Sequence, residues 1–166
     1  MKEQNKYEGF SLSLAMVDAL PVLFFGGSSI LIGLLFGSPL FLVGAALVFL
    51  GGFGKVLWKF LLALKNRDVA ILNKQMKYTM LTGFAVIVTS VIANLRRIDL
   101  RKLGQKLLRL LPFLIIYAIG MITMGILGKK LDSTKVRSNW IEQSVNAVSQ
   151  LTLFAGLLSL VRRGEE

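Results

Sequence analysis

The chain has 166 residues, 54% of them hydrophobic and 17% charged, with a mean hydropathy of +0.66; a water-soluble domain carries about 25% charged residues. Cysteine and histidine are both absent, which excludes disulfides, thiolate catalysis, Cys/His zinc sites and His-ligated haem. The net charge of +11 points to an acidic partner, but the basic residues sit in short segments between apolar runs. That distribution argues for the lipid bilayer and its anionic lipids, and against nucleic acid.

Residues 1–9 are polar and show no cleavage motif, so the first apolar span is expected to act as its own insertion signal. From Ala19 to Gly54 there is no charged residue. This stretch is nearly twice the roughly 20 residues that cross a bilayer as a helix. Gly37-Ser38-Pro39 breaks it near the middle, which predicts a helical hairpin with spans of about 18–36 and 39–62. Asp18 has two readings. It caps the first span, with Pro21 in the first turn and 10–17 along the interface; or one helix from about 11 to 36 buries it, making it an intramembrane carboxylate and a functional candidate. Pro21 favours the cap. Ser29, Gly33 and Gly37 form a small-residue ladder suited to close helix packing, inside the hairpin or between copies in a homo-oligomer. Lys55, Trp58 and Lys59 read as interface markers, lysines snorkelling and tryptophan at headgroup level.

Residues 65–77 are expected to form a basic connection. The third span, 78–95, is just long enough to cross; if it is re-entrant, four full spans remain. Thr82, Ala85 and Thr89 share one face of it, expected to turn toward its neighbours, and Asn94 lies near its end. Leucines at helical spacing then alternate with Arg97, Arg101, Lys102, Lys106 and Arg109. This pattern predicts a basic amphipathic interfacial helix at 97–111, lying in the membrane plane on anionic lipid or docking a partner. Pro112 is expected to end it and open a fourth span, 112–128.

After a basic connection at 129–138, Asn139 and Glu142 resemble a capping box opening a last span of about 140–161. Gln143, Asn146 and Gln150 form a polar stripe along it. Amides at membrane depth must face protein or water, as interhelical hydrogen bonds or as the lining of a ligand or ion cavity.

These readings combine into an all-α integral membrane protein of about five transmembrane helices, one domain over 1–166. It is expected to be multi-pass in a cell membrane of the bacterial cytoplasmic type, with the N-terminus cytoplasmic. The excess of basic residues at 55–77 and 129–137 favours that orientation, although it places the basic 97–111 segment outside. No catalytic constellation is visible, and neither metal nor cofactor is implied. The expected function is transport or ligand binding, non-enzymatic, with cation or proton coupling through Asp18 facing the polar start of the last helix. Asn94, Glu142, Gln143, Asn146 and Gln150 are the other candidate site residues. The alternative is a membrane accessory or scaffold protein that binds a partner membrane protein or anionic lipid through 97–111.

Overall fold

The computed structural model describes residues 11–65, 67–94, 100–132 and 134–162. They form five α-helices: α1 (Leu12–Phe36), α2 (Pro39–Lys65), α3 (Ala70–Asn94), α4 (Leu100–Lys130) and α5 (Val136–Arg162). All five contain a stretch long and apolar enough to cross a membrane. The shortest, at 25 residues, measures about 37 Å, against a hydrocarbon core about 30 Å thick.

α1 starts almost two turns before Asp18. Ser11 is its N-cap, in extended conformation, with its side chain accepting from the Leu14 N–H. The helix then runs unbroken through Asp18 and Pro21. The expected cap at Asp18, the 18–36 boundary and the interfacial 10–17 segment are therefore corrected in favour of the single long helix. Pro21 removes one backbone donor, opposite the Val17 carbonyl, and a membrane helix tolerates that loss. Ser11 outcompetes Asp18 because capping there adds almost two apolar turns to the helix.

Gly37 ends α1 with φ of 57°, its N–H donating to the Gly33 carbonyl. Only glycine takes this left-handed cap without strain. Ser38 follows, accepting from the Phe41 N–H, and Pro39 opens α2. The hairpin register is regular about this turn. A Cβ on Gly33 would strike Leu42, one on Gly26 would press on Phe49, and one on Gly52 would press on Val22. Gly37 itself has open space around its Cβ position, so the small-residue ladder packs inside the hairpin at Gly33 and serves as a turn at Gly37. Ser29 is buried in the same helix.

α3 starts at Ala70, inside the stretch expected to be a connection, and leaves only 66–69 between helices. No glycine or proline interrupts 70–82, and Lys74 and Lys77 are good helix formers whose long stems reach water. As a single 25-residue helix it is long enough to cross a bilayer. Its face toward α2 is Gln75, Thr79, Gly83 and Ser90. Thr82, Ala85 and Thr89 point outward instead, and the Thr89 hydroxyl satisfies itself on the Ala85 carbonyl at 2.9 Å.

α4 is one helix of 31 residues with Pro112 inside it. The expected separate interfacial helix at 97–111 is thus corrected: the amphipathic segment from Leu100 onward forms the first turns of one long helix that continues into the apolar run. Pro112 was expected to be a stop, but at membrane depth it costs one hydrogen bond that neighbouring groups can re-satisfy. Leu110 already packs with Leu157 and Leu160 of α5. Arg97 lies outside the described residues. α5 begins at Val136, ahead of the expected capping box.

In space the helices neighbour one another in the order α3, α2, α1, α5, α4. α1 is central, antiparallel to α2 and parallel to α5. Phe24 of α1 stacks on Phe154 of α5 at 6.0 Å between ring centroids, and Leu31 and Ile32 join the Leu110–Leu157–Leu160 cluster. Burial falls toward the ends of the row: 44% of the most apolar window of α2 is buried inside the protein, but 11% of that of α3 and 6% of that of α4. The two outer helices therefore present mostly apolar surface outward.

Candidate functional site

Because α1 and α2 form a hairpin, positions equally far from the Gly37–Ser38 turn meet across it. Asp18 and Lys59 are such a pair, and the Lys59 Nζ lies 3.1 Å from Asp18 Oδ1. α5 starts at the same end. On its first turn, Asn139 accepts from the Lys59 Nζ through Oδ1 at 3.0 Å, while its Nδ2 donates to the Lys135 carbonyl at 3.0 Å. One ammonium thus bridges three helices. Asn139 is a ligand of that ammonium and not the cap of α5, which corrects the capping box.

Glu142, one turn along α5 from Asn139, acts electrostatically on the same ammonium, as does Lys55 one turn before Lys59. Asp18, Lys59, Asn139 and Glu142 are 3, 1, 4 and 8% exposed, so the cluster is shielded from solvent. Its hydrogen bonding is incomplete. Asp18 Oδ2 and Glu142 Oε1 are buried without a hydrogen-bond partner among the described residues. A carboxylate in such a place loses its hydration without replacement, and the one ammonium held on Asp18 also feels the charge of Glu142. This arrangement can accept a further small positive charge.

The expected site residues do not all gather here. Asp18 and Glu142 do. Gln143 is buried beside them in sequence, and Asn146 is half-buried one turn on. Gln150 lies further down α5 and turns to α4, its Nε2 at 3.9 Å from Met121 Sδ. Asn94 belongs to the opposite end, about 30 Å from Asp18 by the 20 helical residues that separate it from the turn. There its Nδ2 donates to the Ser90 carbonyl at 2.8 Å and to Ser38 Oγ at 3.3 Å, while Ser38 and Ser90 hydroxyls bond at 2.8 Å. Asn94 fastens the α1–α2 turn to α3 and lies apart from the Asp18 cluster.

Two members of the cluster, Lys59 and Asn139, escaped the sequence reading. Lys59 was expected to snorkel and is instead buried under α1 and α5. Trp58 beside it is buried as well, donating from Nε1 to Asp68 Oδ1 at 2.7 Å. The signal for Lys59 was the hairpin register itself, which sets it opposite Asp18 once the turn is fixed at Gly37.

At the other end, Lys106 and Arg109 are exposed on the first turns of α4, as is Arg101. Among known proteins the chain matches no family model, no curated protein and no solved structure.

Proposed function

We propose that this chain is a multi-pass membrane protein of transport or ligand-binding type, non-enzymatic, and coupled to a cation or proton through Asp18. The observation that carries the reading is the pair of buried carboxylate oxygens on Asp18 and Glu142 without a partner among the described residues, in a cluster with a tethered ammonium on Asp18. Ionisable groups among apolar helices are costly to keep and mark ion or proton paths. The basic residues of the 66–69 connection, the start of α3 and the α4–α5 connection lie at the Asp18 end, which supports a cytoplasmic location for that end and for the N-terminus in a cell membrane.

The test is flux. Vesicles containing the purified chain, given an imposed membrane potential, are followed with a pH-sensitive dye and with a sodium-sensitive one. The wild type is expected to carry one of the two ions above empty vesicles, and Asp18→Asn to fall to the empty-vesicle level. Asparagine keeps the size of the side chain, and equal amounts of folded protein in the two sets of vesicles separate a loss of flux from a loss of fold. Flux unchanged by Asp18→Asn, or absent from the wild type, contradicts the reading.

One observation favours a second reading. α4 leaves its apolar surface uncovered by the chain and begins with exposed Lys106 and Arg109. That combination suits an accessory subunit whose α4 meets a partner membrane helix and anionic headgroups. A wild type without flux shifts the balance to it.

A further inference from the structure

The two sides of the α1–α5 contact are built differently. Toward the Gly37 end it is apolar and tight: Phe24 stacks on Phe154, Phe154 fills the space where a Gly27 Cβ would lie, and Leu31 and Ile32 reach Leu157 and Leu160. Toward the Asp18 end it is held by charge, through Lys59 to Asp18 and Asn139. Asn139 is about 22 Å along α5 from Phe154. On one flank, α1, α2 and α3 are locked by glycine contacts at Gly33, Gly52 and the Gly44–Gly83 pair; on the other, α4 and α5 are locked at Gly120–Ser149 and Gly156–Phe113. Two stiff units therefore share an apolar hinge at one end and an ionic fastening at the other.

We propose that Lys59 is a tethered counter-cation, that a proton or small monovalent cation displaces it from the Asp18 carboxylate, and that this displacement frees the start of α5 from the α1–α2 hairpin. The proposal rests on the reading of Asp18 as a cation-coupled group and gives that group its competitor and its mechanical consequence. Asp18 Oδ2 and Glu142 Oε1 are buried without a hydrogen-bond partner among the described residues, while the ammonium is held on Asp18 Oδ1.

The groups around the competition are Asp18 from α1, Lys55 and Lys59 from α2, and Asn139 and Glu142 from α5, among the described residues. When a proton or monocation neutralises Asp18, the attraction holding Lys59 is cut, and Lys55 repels it outward. Lys59 lies six positions before Lys65, the last residue of α2, so a released ammonium can snorkel to the membrane surface on its four-carbon stem. Asn139 then loses its donor, and α5 pivots on Phe154.

The absence of cysteine makes the test direct. Spin labels are placed through Leu64→Cys and Arg137→Cys, exposed positions at this end of α2 and α5, in the full chain in lipid nanodiscs. The distance between them is read by double electron–electron resonance in alkaline buffer with choline as cation, then at acid pH, then at alkaline pH with sodium. A lengthening of about 5 Å, comparable to one helical turn, is expected in one arm: the acid arm identifies a proton, the sodium arm a metal monocation. The labelled Asp18→Asn/Lys59→Met chain, which lacks the fastening, is expected to show the long distance throughout. An identical wild-type distribution in all three conditions overturns the proposal. Flux without lengthening removes the fastening and leaves the transport reading standing; lengthening without flux does the reverse.

Discussion

Lys59→Met is expected to destabilise the folded chain by about 3–5 kcal/mol, the usual cost of removing one partner from a buried ion pair. The reason lies in what stays behind. Methionine fills the volume of the lysine stem, so packing against α1 and α5 is nearly kept, but Asp18 loses the ammonium beside it and Glu142 a favourable positive charge. Asn139 Oδ1 loses the donor at 3.0 Å. Removing the negative partner as well should recover much of the loss. In the Asp18→Asn/Lys59→Met chain the combined destabilisation is expected to fall short of the sum of the single changes by about 2 kcal/mol. Reversible unfolding in mixed detergent micelles reads all three values. Strictly additive losses would mean that Asp18 and Lys59 do not interact in the folded protein.

The second large effect is expected at Gly83→Ala. At this position α2 and α3 touch through their backbones: a Cβ on Gly83 would lie 2.7 Å from the Gly44 carbonyl oxygen and 2.9 Å from the Val48 nitrogen. A Cβ on Gly44 would meet the Gly83 carbonyl oxygen at 2.8 Å and the Ile87 nitrogen at 2.9 Å. Backbone atoms cannot rotate aside, so either substitution pushes the helices apart and loosens the Thr79 and Gln75 contacts at Gly51 and Gly54. The cost expected from overpacking is about 1–3 kcal/mol. Gly104→Ala on α4 is the control, because its Cβ would meet nothing within 4 Å. It is expected to be neutral, or stabilising by up to about 1 kcal/mol through helix propensity. Equal effects of Gly83→Ala and Gly104→Ala would contradict the close α2–α3 packing.

Particular residues show what could be read from the chain and what could not. The uncharged run from Ala19 to Gly54 and the Gly37-Ser38-Pro39 break specify a hairpin, because few other conformations satisfy 36 uncharged, mostly apolar residues with a proline in the middle. The number of long apolar helices was legible for the same reason. Helix ends were less so. Pro21 and Pro112 were expected to mark boundaries, as they do in water, yet both lie inside helices. A long apolar helix has too many other backbone bonds for one missing donor to stop it. Lys74 and Lys77 were assigned to a connection by their charge, although lysine is at home in a helix that ends near a membrane surface.

The site was half legible. Asp18 and Glu142 stood out as carboxylates at the ends of apolar runs, and the structure brings α1 and α5 together there. Lys59 was hidden because a lysine near a helix end ordinarily snorkels, and nothing local distinguishes one that turns inward. The distinction is made by α5, which returns from far along the chain to cover it. Asn94 misled in the opposite way: a lone amide near a span end looks like a site residue, but here it closes a turn with Ser38 and Ser90.

Five crossings, with Asp18, Lys59 and Glu142 at one membrane end, underlie every role proposed above. Their most direct test uses Lys74→Cys and Gly104→Cys as single cysteines in the otherwise cysteine-free chain, probed with a membrane-impermeant maleimide on intact cells and on inverted vesicles. Position 74 lies on the first turns of α3, at the Asp18 end; position 104 lies on the first turns of α4, at the opposite end. The expected result is labelling of Lys74→Cys only in inverted vesicles and of Gly104→Cys only on intact cells. Labelling of both from the same side would contradict five crossings and with them a charged cluster set at one membrane face.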